Sequence, residues 1–270
     1  MIDNHITTPT RFVDVEGTRF AYRRWGNADS SQPPLLFLQH FRGGMDNWDP
    51  LMTDGLAQSR EVILYNGRGV ASSGGQPRTR IEDMADDAAA FVRALGLQQI
   101  DVLGFSLGGF QALDLTWRHP ELVRKLMLLG TGPRGGNPEM EQRVLTTAVN
   151  PVPAFEDFLY LFFGRSAEAE QAARAFWERR HMRADQDPPP PSDRLRDWQR
   201  LLDSRSPLLV PPKASRFCRT RMPKRLSSGG GVSSKDLTIS GDFREVLWFQ
   251  GLTAFLQPPK VVLPYDRTVF

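Results

Sequence analysis

The sequence predicts an α/β protein, a doubly wound and mostly parallel sheet that carries a helical cap insertion. Three observations lead there. Leu35-Leu36-Phe37-Leu38 is a continuous apolar run of the kind shown by parallel strands buried on both faces. From that run to about residue 129, strand-like and helix-like segments alternate, as crossover connections between parallel strands require. Around Gly132 the rhythm stops, and residues 139–205 offer only helical patterns.

The elements follow in order. Thr10 to Val15 and Thr18 to Arg24 alternate polar and apolar residues around Glu16-Gly17, which reads as an antiparallel hairpin at a sheet edge. Pro33-Pro34 introduces the buried run. Asp46 to Leu56 then reads as a helix and Glu61 to Tyr65 as a strand. Ile81, Met84, Ala85, Ala88, Phe91, Val92 and Leu95 fall on one helical face before Gly96 stops it. Asp101-Val102-Leu103 is a strand, Leu107 to Trp117 a helix ending near His119-Pro120, and Lys125 to Leu129 another strand. In the insertion, Glu168 to Arg180 and Asp193 to Leu202 read as helices, separated by Pro188 to Pro191, a run no helix crosses.

The expected organisation is therefore a core over 10–136, a helical cap over 137–205 and a weakly patterned segment over 206–270. A chain of 270 residues is long enough to bury a full core. A polar N-terminus without an apolar h-region, and no window approaching a membrane span, lead us to expect a soluble cytoplasmic protein with no membrane partner. A single cysteine, Cys218, excludes an intramolecular disulfide, and no Cys/His spacing suggests a metal site, so no metal or cofactor is expected.

The formal net charge is +3. Its origin is local: residues 211–235 carry Lys213, Arg216, Arg219, Arg221, Lys224, Arg225 and Lys235 with no acidic residue, and the rest of the chain is acidic overall. Such a stretch suits an arm for nucleic acid or an anionic surface. Phe217 alone supplies the aromatic interleaving, so no nucleic-acid partner is expected. A plain basic tail is the second reading. A third, a shift of reading frame, covers at once the lost periodicity, the Arg/Pro/Ser/Gly bias, the swing in charge and the histidine missing from this region, and it is the one we favour.

Chemistry concentrates at Asp101-Val-Leu-Gly-Phe-Ser-Leu-Gly-Gly109. Gly104, Ser106 and Gly108 follow a buried strand and open an amphipathic helix, the setting of a nucleophile elbow. The tight turn presents the Ser106 hydroxyl at the carboxyl edge of the sheet, above a helix N-terminus whose unpaired N–H groups favour developing negative charge. A second element, Gln39-His40-Phe41-Arg42-Gly43-Gly44, follows the first buried strand, where acyl-transfer chemistry needs another N–H. The N–H groups of Phe41 and Leu107 would form the oxyanion pair.

With the segments at 35–48, 61–74, 101–109 and 118–134, residues 20–205 resemble the α/β-hydrolase family, specifically its small bacterial members with a helical cap. The resemblance implies a serine hydrolase acting on a carboxylic ester or related small acyl compound, with Ser106 as nucleophile and a later acid and histidine in chain order. Three departures stand out: Gln39-His40-Phe41 replaces the usual His-Gly-x, Asn66 stands where an aspartate usually begins the next turn, and no histidine follows His181. His5 lies in a polar tail and His40 beside the oxyanion turn. His119 sits roughly 18 Å from Ser106 along its helix. His181 belongs to the cap, and all four suit structural or solvated roles. Asp236 and Asp242 are acid candidates by chain order, with surface aspartates as the plainer reading. Two alternatives stay open: an inactive or truncated member lacking its base, and cofactor-free haloperoxidase or perhydrolase chemistry using the same triad. Epoxide hydrolase and haloalkane dehalogenase chemistry fits less well, because those relatives use aspartate at the position of Ser106.

Overall fold

A computed structural model describes residues 3–131, 147–148, 150, 154–187 and 265–266 of the chain. Its centre is a sheet with strands in the order β1 (Arg11–Val15), β2 (Thr18–Gly26), β4 (Glu61–Tyr65), β3 (Leu35–Leu38), β5 (Ile100–Phe105), β6 (Val123–Leu129) and β7 (Tyr265–Asp266). β1 (Arg11–Val15) and β2 (Thr18–Gly26) form the expected hairpin, and β2 runs antiparallel to β4. Its two-residue turn, Glu16 at φ 48° and Gly17 at φ 76°, has the left-handed pair that matches strand twist.

β3 (Leu35–Leu38), β4 (Glu61–Tyr65), β5 (Ile100–Phe105) and β6 (Val123–Leu129) are mutually parallel. β7 (Tyr265–Asp266) adds two antiparallel pairs to β6. The apolar runs are buried on both faces for a visible reason. Leu36 and Leu38 of β3 face α2 (Ile81–Ala94) and α3 (Leu107–Arg118), while Leu35 and Phe37 face α1 (Pro50–Ala57) and Trp48.

Two boundaries differ from expectation. The helix read over 46–56 is broken: a 3₁₀ turn, Met45–Asn47, precedes Trp48, and α1 restarts with Asp49 as N-cap and Pro50 at its first position. Proline lacks the N–H that a continuing helix would need, yet fits a first turn where that donor is unpaired anyway. β6 begins two residues earlier than read because Val123 pairs with Ile100.

The chain leaves β3 through α1 to β4 on one side, then crosses through α2 to β5 on the other. The gap between the carboxyl ends of β3 and β5 is thus a topological switch point, where open α/β sheets bind ligands. Two helices of the insertion, α4 (Phe155–Phe162) and α5 (Ala167–Arg180), lie against this edge. Phe162 of α4 packs 5.0 Å from the His40 ring and 6.1 Å from that of Phe105. The helix read over 193–202, and all of 206–270 except β7, fall outside the described residues. Among the described residues no helix is long and apolar enough to cross a membrane.

Candidate active site

Ser106 stands between β5 and α3 with φ 54° and ψ −117°, a positive φ that costs a serine conformational energy. The surroundings hold it there. The Ser106 N–H donates to Leu129 O (2.9 Å), continuing the β5–β6 ladder, and the Gly109 N–H donates to Ser106 O (2.9 Å), opening the helix. The flanking glycines are sterically required: a Cβ on Gly104 would meet Gly108 O at 2.4 Å, and one on Gly108 would meet Leu38 O at 2.0 Å. The same contact seats the elbow against the end of β3, beside Gln39 to Phe41.

There, His40 O accepts from the Gly43 N–H (2.9 Å) across a tight turn with Arg42 at φ 62°. The Gln39 carboxamide accepts the His40 N–H at 2.8 Å. A Cβ on Gly43 would lie 2.2 Å from Gln39 Cγ, so the glycine leaves room for the glutamine four residues earlier. Phe41 packs with Leu107, Phe110, Val70 and Ile81, which brings the two proposed oxyanion residues into one cluster. Leu107 is the first residue of α3, and among the described residues its N–H has no acceptor.

Asn66, in place of the expected aspartate, is fully buried. Its Oδ1 accepts from the Met45 N–H (2.8 Å), and its Nδ2 donates to Asp187 Oδ2 (2.6 Å) and Ser72 Oγ (3.3 Å). A carboxylate at 66 would face that of Asp187. The departure is therefore matched by a residue from the insertion, which sequence spacing alone gives no signal to find.

All four histidines lie among the described residues, and none hydrogen-bonds Ser106. His5 is buried, not in a solvated tail: its Nδ1 pairs with Thr53 Oγ1 (2.8 Å) and its ring meets Trp25 edge-on. Burial first, then the charge of Arg23, pushes its pKa down to about 4. His40 turns Nδ1 toward Phe41 O (2.8 Å) and packs edge-on against Phe105, with its pKa likewise pushed to about 4 chiefly by burial. His119 caps the far end of α3 and pairs with Asp86 (2.8 Å). His181 ends α5, its Nδ1 2.5 Å from Trp177 O. Asp236 and Asp242 lie outside the described residues.

The insertion is fastened to the core by contacts that the sequence did not suggest. Arg179 forms a bidentate pair with Asp49 (2.9 and 2.8 Å). Arg183 donates to the carbonyls of His5, Ile6 and Thr8, and the Asp187 N–H donates to Asp46 Oδ2 (2.7 Å). In sequence Arg179 belongs only to the helical pattern read over Glu168 to Arg180, and nothing there marks its partner.

Residues 33–204 match the model of the α/β hydrolase fold. A solved α/β hydrolase fold protein from Chitinophaga pinensis is 35% identical, with a TM-score of 0.65 over 72% of this chain and 70% of that one. An enol-lactonase from Burkholderia xenovorans LB400, 19% identical with a TM-score of 0.54 over 71% and 72% of the two chains, shares the fold. Among curated proteins, one designated a carbamate hydrolase, RutD, from Agrobacterium fabrum strain C58 is 32% identical over 106 residues, 38% of this chain and 40% of that protein. A 2-hydroxymuconate semialdehyde hydrolase from Pseudomonas sp. strain CF600 is 38% identical over 103 residues, 36% of each. The matches thus span about two fifths of the length of these curated relatives. With the family model covering well over half of its length, and the elbow, switch point and helical insertion in the family's succession, this chain belongs to the α/β-hydrolase family.

Proposed function

We propose that the chain is a serine acyl-hydrolase scaffold for a small-molecule substrate, in which Ser106 can be acylated but turns over slowly for want of a base. The observation that carries this reading is the strained Ser106 turn beside the Leu107 N–H, which has no acceptor among the described residues. In the proposed step, Ser106 Oγ attacks an acyl carbonyl, and the N–H groups of Leu107 and Phe41 hold the resulting oxyanion. The leaving group then departs with a proton, and water releases the acyl group. The names of the relatives, a carbamate hydrolase and a semialdehyde hydrolase, support a small acyl-type compound. The helices α4 and α5 serve as the cap over the elbow.

Without an imidazole on Ser106 neither proton transfer is assisted, and what remains is the oxyanion hole and binding. Hydrolysis of a short activated acyl ester by the purified chain should therefore be feeble, and lowered less than about tenfold by Ser106→Ala, while intact-mass measurement detects an acyl adduct on Ser106. A loss of about a thousandfold on substitution would reveal a working triad and overturn the base-less reading. No adduct at all would remove Ser106 as the acyl acceptor. His181→Ala is the control for an unconventional base on the cap.

A further inference from the structure

The cations around the site fall into two groups. Arg179 is paired with Asp49, Arg183 with three backbone carbonyls and Asp185, Arg23 with Asp46, and Arg42 with the carbonyls of Ala148 and Asn150. Arg180 differs. Among the described residues its guanidinium makes no hydrogen bond and no ion pair. It lies over the ring of Trp177 (4.8 Å to the centroid) and that of Phe158 (5.5 Å), at the end of α5 that faces the core.

Arg180 is half-buried, and the part of its guanidinium lost from water has no carboxylate in exchange, which pushes its pKa down to about 10. The acidic group whose charge acts on it, Asp46, is occupied by Arg23 at 2.5 Å and by the Asp187 N–H at 2.7 Å. The side chain also stands close enough to His40 for its charge to disfavour protonation of that ring. A continuous aromatic wall leads from it to the elbow: Phe158 to Phe162 (5.5 Å), then Phe162 to Phe105 (6.1 Å), the residue before Ser106. Hydrophobic packing does not require five N–H donors at this position, since a methionine or leucine would cover the same rings.

We propose that Arg180 is the anion-binding group of the site between the elbow and α5, and that the compounds bound there carry a carboxylate. A carboxylate would take two of the fork's donors in one plane, and its charge would replace the solvent that the aromatic wall excludes. For the orientation of the reacting end, the proposal rests on Ser106 as acyl acceptor: the carboxylate lies toward α5 and the acyl carbon toward the elbow. The binding itself needs no catalysis, which allows the two to be tested apart.

Binding of succinate and of uncharged succinamide should be measured by calorimetry on the full chain, on Arg180→Met and on Arg180→Lys. Methionine keeps an apolar stem over the rings and lacks the charge. Succinate should bind the full chain and lose tenfold or more in affinity in Arg180→Met, the scale of a charge-assisted hydrogen bond lost. Arg180→Lys should recover part of that loss, and Arg174→Met, on the same helix but exposed, should change nothing. Circular dichroism confirms that each variant is folded. Absence of succinate binding to the full chain at millimolar concentration, equal affinity in Arg180→Met, or no recovery in Arg180→Lys would each overturn the proposal. Ser106→Ala should bind succinate normally, so a missing acyl adduct with intact, Arg180-dependent succinate binding would sink the hydrolase reading and leave this one standing.

Discussion

At the scale of single residues, the elbow is held by what its glycines lack. Gly108 has the carbonyl of Leu38 where a side chain would begin, 2.0 Å from an added Cβ, so Gly108→Ala must push the elbow off β3. Backbone cannot yield as a flexible side chain does, and we expect a loss of about 2 kcal/mol or more in chemical denaturation. Gly55, inside α1 with nothing within 4 Å, is the contrast. There alanine should stabilise by about 0.5–1 kcal/mol, because helix formation then loses less backbone entropy. Equal effects at the two positions would refute the steric account. Ser106 and its glycines were legible in the sequence because a strained turn needs a fixed residue pattern at fixed spacing. Arg180 was not, since nothing local distinguishes an arginine without a carboxylate partner among the described residues from Arg179, whose partner is 130 positions away.

Between elements, the informative contact is that of Asn66 at the end of β4 with Asp187, which follows α5. Asn66→Asp would set two carboxylates 2.6 Å apart in a buried place, so one must hold a proton and its pKa must rise. At neutral pH the variant should lose about 1–3 kcal/mol, and the loss should shrink as pH falls. Asp187→Asn in the same chain should restore stability near neutrality. A double variant no more stable than Asn66→Asp would show that the pair does not couple the insertion to the sheet. Strand β3 was legible for the same physical reason that it is buried, since a strand covered on both faces has no polar positions to confuse its period, whereas β6, with Arg124 and Lys125 and mostly half-buried positions, was read two residues short. The break between the 3₁₀ turn and α1 was missed because the apolar positions continue through it, and only Asp49-Pro50 marks the restart. The fastening of α5 through Arg179, Arg183 and Asp187 joins residues far apart in sequence, and periodicity is blind to such pairs.

For the whole molecule, the buried histidines set how stability depends on pH. His5 has a folded pKa of about 4 against 6.5 when exposed, so between these values the unfolded chain holds a proton that the folded one does not. Stability contributed by its burial is then complete above pH 6.5 and is lost as pH falls toward 4, below which both states are protonated and the loss levels off. His40 behaves in the same sense, because burial also pushes its pKa to about 4. Around His5, the charges of Arg23 and Arg183 reinforce the shift and that of Asp46 opposes it. Asp54, which accepts the His5 N–H, works the other way: burial raises its carboxyl pKa, so folding is favoured as it takes up a proton. Asp86 and Asp87 are held below the usual carboxylate range, Asp86 by Arg118 and Asp87 by Arg78 and Arg68, and their contribution is lost only in stronger acid. The histidines therefore dominate the range from pH 7 to 5, over which His5 alone accounts for up to about 2 kcal/mol. Urea unfolding at a series of pH values should show stability declining over that range, and His5→Gln should flatten the slope whatever it does to the level. An unchanged slope would mean that His5 stays protonated in the folded chain, and with it would go the account of why Thr53, Trp25 and the N-terminal segment close around a neutral ring.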